Sequence, residues 1–130
     1  MTHKLKLALG LLVSAMISGT AQSGQDPLQH LETYRQKGID RVDAENGQRL
    51  WNSTVNERSC TSCHGDDSEK FGKHLKTGKV IQPMALSANP MRYQDARKIE
   101  KWFLRNCKWT FGRECNTQEK ADILTWLSSQ

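Results

Sequence analysis

The sequence has no apolar run long enough to cross a bilayer, no internal repeat, no low-complexity tract and no convincing strand pattern. Its most apolar stretch, LALGLLVSAMI from Leu7 to Ile17, has 11 residues, where a spanning helix needs about 20. Lys4 and Lys6 precede this run and the small, polar SGTAQSG follows it. That order is a secretory signal peptide: basic head, short apolar middle, small-residue cleavage site. Residues 1–21 are therefore expected to leave by cleavage after Ala21, with Ser23 as the competing site, leaving 22–130 as the mature domain. No cysteine stands near the cleavage region, which argues against a lipid anchor. Strong charge is also lacking. Loss of Lys4 and Lys6 lowers the formal charge from +5 to +3, too mild an excess to read as nucleic-acid binding. Apolar residues are few as well, 36% of the chain. A domain of this size with so little apolar content is marginal on core burial alone. The missing core is expected from a large apolar cofactor, a cross-link, or both.

What is present organises into four helical segments. Asp26–Lys37 reads as the first, with Asp26 as cap, Pro27 in the first turn and Gly38 as stop. Asp43–Val55 reads as the second, capped by Asp43, with Gly47, Leu50 and Trp51 near one face. Gly47 weakens a helix interior, and a close packing contact is the expected reason for it. Glu57–Thr77 is polar and without period, and Val80–Pro90 carries two prolines and reads as a loop. Gln94–Asn106 is the third helix, with Asp95 as cap, and Lys108–Asn116 a tight connector. Thr117–Ser128 is the fourth, capped by Thr117, with a stripe of Ala121, Leu124 and Leu127/Ser128 flanked by Ile123 and Trp126. The expected class is all-α, small and loop-rich.

All four cysteines lie beyond the signal, in a chain bound for a compartment where disulfides persist. Residues 60–64 read CTSCH. Cys-x-x-Cys-His is the attachment signature of c-type haem: two thiols reach the two vinyl groups of one haem edge, and the next residue places an imidazole under the iron. On this reading Cys60 and Cys63 carry one haem and His64 is its proximal ligand. Three plainer readings compete. A redox dithiol lacks its βαβ context here, half a zinc site lacks a partner pair, since Cys107 and Cys115 are too far apart in sequence, and a chance match ignores the export signal and the poor core.

The sixth ligand decides function. A strong one makes an electron carrier; a weak or absent one leaves the iron open to small molecules. Met84 and Met91 offer thioethers, and either also suits a pocket lining. His74 lies in GKHLKTGK among Lys70, Lys73, Lys76 and Lys79, which reads as a solvated basic loop or a docking face. Ile99, Trp102, Phe103 and Asn106 share one helix face by their i, i+3, i+4, i+7 spacing. Trp102 and Phe103 suit packing against a flat porphyrin. Asn106 has two readings: an amide bonded to backbone at a helix end, the more ordinary one, or an iron ligand. Cys107 and Cys115 enclose KWTFGRE; a disulfide there is worth about 2.5 kcal/mol in the chain-entropy model and would fix the helix end beside Asn106. It reads as a structural staple ahead of a redox-sensing pair.

The segments DAENGQRLW, SCTSCHG, KTGKVIQPMA, SANPMRY, KIEKWFLRNC, GREC and EKADILTWL, in that order, resemble the small c-type haem proteins called SHP, or sphaeroides haem protein, of the bacterial periplasm. The resemblance spans nearly all of the mature chain. It implies a class I-like cytochrome c fold around one haem, with thioethers at Cys60 and Cys63 and the proximal bond at His64. It also implies that Asn106 is the distal ligand and that Cys107 and Cys115 are bridged. An amide oxygen is a hard, neutral donor that suits ferric better than ferrous iron, so reduction is expected to release it and open the distal side to O2, NO or CO. The family's electron donor is a dihaem cytochrome c linked to a membrane b-type cytochrome, and Lys70–Lys79 is a candidate docking surface. The alternative is a plain electron carrier with Met84 as permanent sixth ligand. An enzymatic reading, reductase or peroxidase-like, has only His74 as a proton-delivering candidate.

Overall fold

The computed structural model describes residues 27–130. The expected signal peptide and the Asp26 cap lie outside the described residues. Helices α1 (Pro27–Gln36) and α2 (Ala44–Asn52) are followed by a single-turn α3 (Thr61–His64). A two-stranded hairpin, β1 (Gly72–Lys73) and β2 (Val80–Ile81), leads to a 3-10 turn at Pro90–Tyr93, then α4 (Ala96–Phe111) and α5 (Thr117–Ser128). The all-α class holds.

The helices start where side chains can take the free backbone N–H groups. Asp43 accepts from the Asn46 N–H at 2.9 Å, and Asp95 accepts from those of Arg97 and Lys98 at 3.0 and 3.2 Å. The cap of α5 is Asn116, one residue before the expected Thr117. Its amide oxygen accepts from the Glu119 N–H, and the Glu119 carboxylate accepts from the Asn116 N–H, each at 2.9 Å. This reciprocal pair outbids a threonine because it satisfies two donors at once. Arg113 clamps the same carboxylate with two bonds of 2.7 and 2.8 Å.

Two expectations need correction. The third helix does not end at Asn106; α4 runs to Phe111, so the first four residues of the supposed connector Lys108–Asn116 are helical. WTF carries no breaker, and the stop comes from Gly112. The described residues also form one short sheet, antiparallel with Gly72 opposite Ile81 and Lys73 opposite Val80. Two-residue strands are too short to show a period.

The core lies along α5. Ala121, Ile123, Leu124, Trp126 and Leu127 are buried with Leu31 and Tyr34 of α1, Trp51 of α2, Tyr93, and Ile99 of α4. The tight point is Gly47: a Cβ there would lie 2.1 Å from the carbonyl oxygen of Asp122. Only hydrogen lets α2 approach α5 so closely, which is the close contact its position in a helix predicted. Asp122 anchors the same interface. It is 1% exposed and accepts from the Asp43 N–H, the Asn46 amide and the Gln118 amide at 2.8, 2.8 and 2.7 Å.

Candidate haem-binding cavity

The single turn of α3 is set by its hydroxyls. Ser59 and Ser62 bond each other's backbone N–H groups at 3.0 and 3.1 Å, and the Ser59 hydroxyl meets that of Thr61 at 2.7 Å. The turn places Cys60, Cys63 and His64 at i, i+3, i+4, on one helical face. All three border a cavity of about 840 Å³, its open mouth included. It is also bordered by Trp102, Phe103 and Asn106 of α4 and by Ile123, Leu124 and Leu127 of α5, with Trp51, Met84, Arg92 and Tyr93 among the other lining residues.

Behind α3 the hairpin braces the attachment turn. A Cβ on Gly72 would lie 2.3 Å from the Cys63 carbonyl oxygen, so β1 lies backbone to backbone against Cys63 and His64.

The lining fits a covalently held haem. Cys60 and Cys63 are free thiols, not bridged to each other. Burial pushes the Cys60 thiol up to about 11. Burial, helped by the charge of Arg92, pushes His64 down to about 4, so its imidazole is neutral at pH 7 with a lone pair available to a metal. Two buried nitrogens in this wall, His64 Nδ1 and Trp51 Nε1, have no hydrogen-bond partner, and the two rings lie 5.1 Å apart. Trp102 is 48% exposed, a large apolar face of the kind a flat macrocycle covers. No three His, Cys, Asp or Glu side chains come together among the described residues, which leaves the zinc reading without support.

The candidates for the sixth ligand separate by place. Met91 is 68% exposed, its sulfur taken by the Gln94 amide at 3.1 Å, and it does not border the cavity. His74 is exposed on the hairpin, its Nδ1 accepting from the Thr77 N–H at 3.2 Å, and it too is absent from the lining. Met84 and Asn106 both border the cavity. Asn106 sits inside α4, five residues before its end, so the ordinary reading of a helix-end amide does not describe it. Cys107 and Cys115 are bridged, Cα to Cα 5.6 Å. The bridge ties the final turns of α4 to the start of α5 and not to a helix end beside Asn106.

Trp51, Arg92, Tyr93 and the α5 residues were not singled out as site residues by sequence reasoning. Trp51 and the α5 stripe carried a signal, since an apolar face serves a cofactor as well as a core. Arg92, a lone arginine in PMRY, carried none.

Comparison with known proteins gives consistent results. Residues 37–127 match a family model described as a domain of unknown function, DUF1924. The chain is 41% identical to the cytochrome c-type protein SHP of Cereibacter sphaeroides, over 92% of this chain and 97% of that protein. It is 35% identical to cytochrome c'' of Methylophilus methylotrophus, over 57% of this chain and 51% of that one. The structure of oxidized SHP, an oxygen-binding cytochrome c, superposes with a TM-score of 0.76, covering 82% of this chain and 98% of that one. Oxidized cytochrome c'' superposes at 0.69 with 25% identity, over 80% and 94% of the two chains.

Proposed function

The chain belongs to the SHP family of c-type cytochromes, and from that premise we propose that it is a redox-gated binder of diatomic ligands. Covalently attached haem c is the cofactor; once bound it supplies one-electron chemistry and an iron site for a small ligand. The observation that carries the proposal is one cavity bordered both by the Cys60–Cys63–His64 turn and by Asn106. Cys60 and Cys63 would hold the macrocycle through thioethers, His64 would give the proximal bond, and Trp102 and Phe103 would pack on its face. Asn106 would offer a hard amide oxygen, a donor that suits ferric better than ferrous iron, so that reduction would favour its release and leave a position for O2, NO or CO. The disulfide Cys107–Cys115 would hold the turn that carries Asn106.

The competing reading makes Met84 a permanent sixth ligand, since Met84 borders the same cavity. The kinship with SHP, an oxygen-binding cytochrome c, favours the reading in which the sixth position can open.

The electron donor we propose is a dihaem cytochrome c fed by a membrane b-type cytochrome, docking on the hairpin. Lys73, Lys76 and Lys79 are exposed there, while Lys70 is held by Asp67 at 3.2 Å. Phe71, Leu75 and Val80 are 64%, 60% and 68% exposed beside them, and β1 abuts Cys63, at the haem-attachment turn. The periplasm is the proposed location, on the signal sequence at residues 1–21. No helix among the described residues is long and apolar enough to cross a membrane.

Asn106→Ala tests the ligand. The ferric visible spectrum should change and the ferrous one stay nearly as in the wild type. A ferric spectrum identical to wild type removes Asn106 from the iron.

A further inference from the structure

We propose that Arg92 holds a carboxylate of the haem, and that its fixed positive charge keeps that carboxylate ionised and the reduction potential insensitive to pH near neutrality. The proposal rests on the haem reading above and adds a residue that neither the CxxCH motif nor the distal ligand includes.

Arg92 stands in the 3-10 turn Pro90–Tyr93 and borders the cavity. Its Nε donates to the Pro83 carbonyl at 3.0 Å and its Nη2 to the Gln82 carbonyl at 2.8 Å. These two bonds fix the plane of the guanidinium. A guanidinium has five N–H donors, so donors remain after both carbonyls are served. The charge has no counter-ion: none of the ion pairs formed among the described residues includes Arg92. Among the described residues the cavity lining contains no Asp or Glu. Burial holds the Arg92 pKa below its usual value, the mark of a cation short of solvent. A partly buried cation without a partner is costly, and it becomes favourable when an anion arrives.

The group that fills this cavity brings that anion. Haem carries two carboxylates on an otherwise apolar rim, and the lining is largely apolar and aromatic. The titratable groups that share the cavity with Arg92 are Cys60, Cys63 and His64, which hold the haem, and the neighbouring Tyr93. Tyr93 is committed, its hydroxyl donating to the Met84 carbonyl. Arg58, the nearest arginine to the motif in sequence, does not border the cavity; it donates to the Trp109 carbonyl at 3.2 Å and stacks on that ring. Among the described residues Arg92 is thus the one cation of the lining free to meet a carboxylate, and a planar fork matches a carboxylate's two oxygens.

A purely structural Arg92, bracing the Gln82–Pro83 loop, is separated by the choice of variants. Asn89 braces the same loop, its amide donating to the Pro83 carbonyl at 3.2 Å, and carries no charge. The reduction potential is measured by spectroelectrochemistry on holoprotein from about pH 5 to about pH 9, a window above the usual carboxylate range. Covalent haem content is checked first by alkaline pyridine spectrum; a wild-type chain that takes up no haem contradicts the haem reading itself. Arg92→Gln should lower the potential and introduce a pH-dependent step inside the window, because a carboxylate without its cation titrates higher. Asn89→Ala should reproduce the wild-type profile. Should Arg92→Gln yield too little holoprotein, Arg92→Lys answers the question: an ammonium cannot bracket two carbonyls and a carboxylate together, so the same step should appear, smaller. The proposal is overturned if the Arg92 variants keep the wild-type profile, or if Asn89→Ala shifts it as they do.

Discussion

Gly47→Ala should unfold the junction of α2 and α5 at lower temperature, although alanine is the better helix former. The added Cβ would lie 2.1, 2.5 and 2.9 Å from Asp122 O, Asp122 C and Ile123 N. The first distance is 1.3 Å inside the 3.4 Å at which ordinary contact begins, and all three atoms are backbone. No rotamer relieves them, so the helices must separate. Overpacking of this kind costs about 1–3 kcal/mol, and a backbone obstacle puts the cost at the top of that range. Replacing a helical glycine by alanine returns about 1 kcal/mol. The net loss is about 2 kcal/mol, or roughly 10 °C in the midpoint of a domain this size. The assay is thermal unfolding of the holoprotein by far-UV circular dichroism. Because Trp51 on α2 and Ile123, Leu124 and Leu127 on α5 border the cavity, the Soret band should lose its native form in the same transition. An unchanged or raised midpoint would refute the claim that α2 and α5 meet backbone to backbone.

Asp122→Asn should destabilise by about 1–3 kcal/mol in urea, because the new NH2 meets a donor whichever way it turns: Asn46 on one side, Gln118 and the Asp43 N–H on the other. Unchanged stability would mean that the three bonds contribute nothing. Stability should also decline as pH falls below 6.5. Burial holds the His30 pKa below that value despite the opposing Glu100 carboxylate, so the unfolded chain binds the proton first and unfolding is favoured by acid. Glu100, itself lowered because hydrogen bonds from Lys120 and Tyr34 outweigh its burial, adds its loss only further down, below 4.5. His30→Gln should flatten the first part of this decline in urea midpoints taken at successive pH values; an unaltered slope assigns it to another group.

The motif residues were legible because covalent haem attachment demands a fixed local spacing, and one helical turn realises it. The apolar face of α4 was legible from period alone. Its length was not, since the stop lies at Gly112 and nothing in KWTF marks an end. That extension decides how Asn106 is read: inside a helix it has no terminal carbonyl or N–H to serve, while its place on the stripe brings it to the cavity. Likeness to a family, more than periodicity, raised it from an odd amide to a candidate ligand. Asp122 and Arg92 were illegible for a common reason. Each is a single charged residue whose partners follow no periodic spacing, Asp43 and Asn46 besides the nearby Gln118 for the one, the Gln82–Pro83 loop and the cavity for the other. Gly47 was half legible: its place in a helix announced a close contact, and only the fold names Asp122 as what it touches. The hairpin went unseen because its strands are held more by backbone contact with Cys63 than by any pattern of their own.

Reduction is proposed to open the iron, and the decisive experiment is the visible spectrum of the reduced holoprotein with and without CO. The ferrous haem should be five-coordinate and high-spin, and CO should convert it to a new species. A low-spin reduced haem indifferent to CO would contradict it and return the sixth position to a permanent ligand such as Met84.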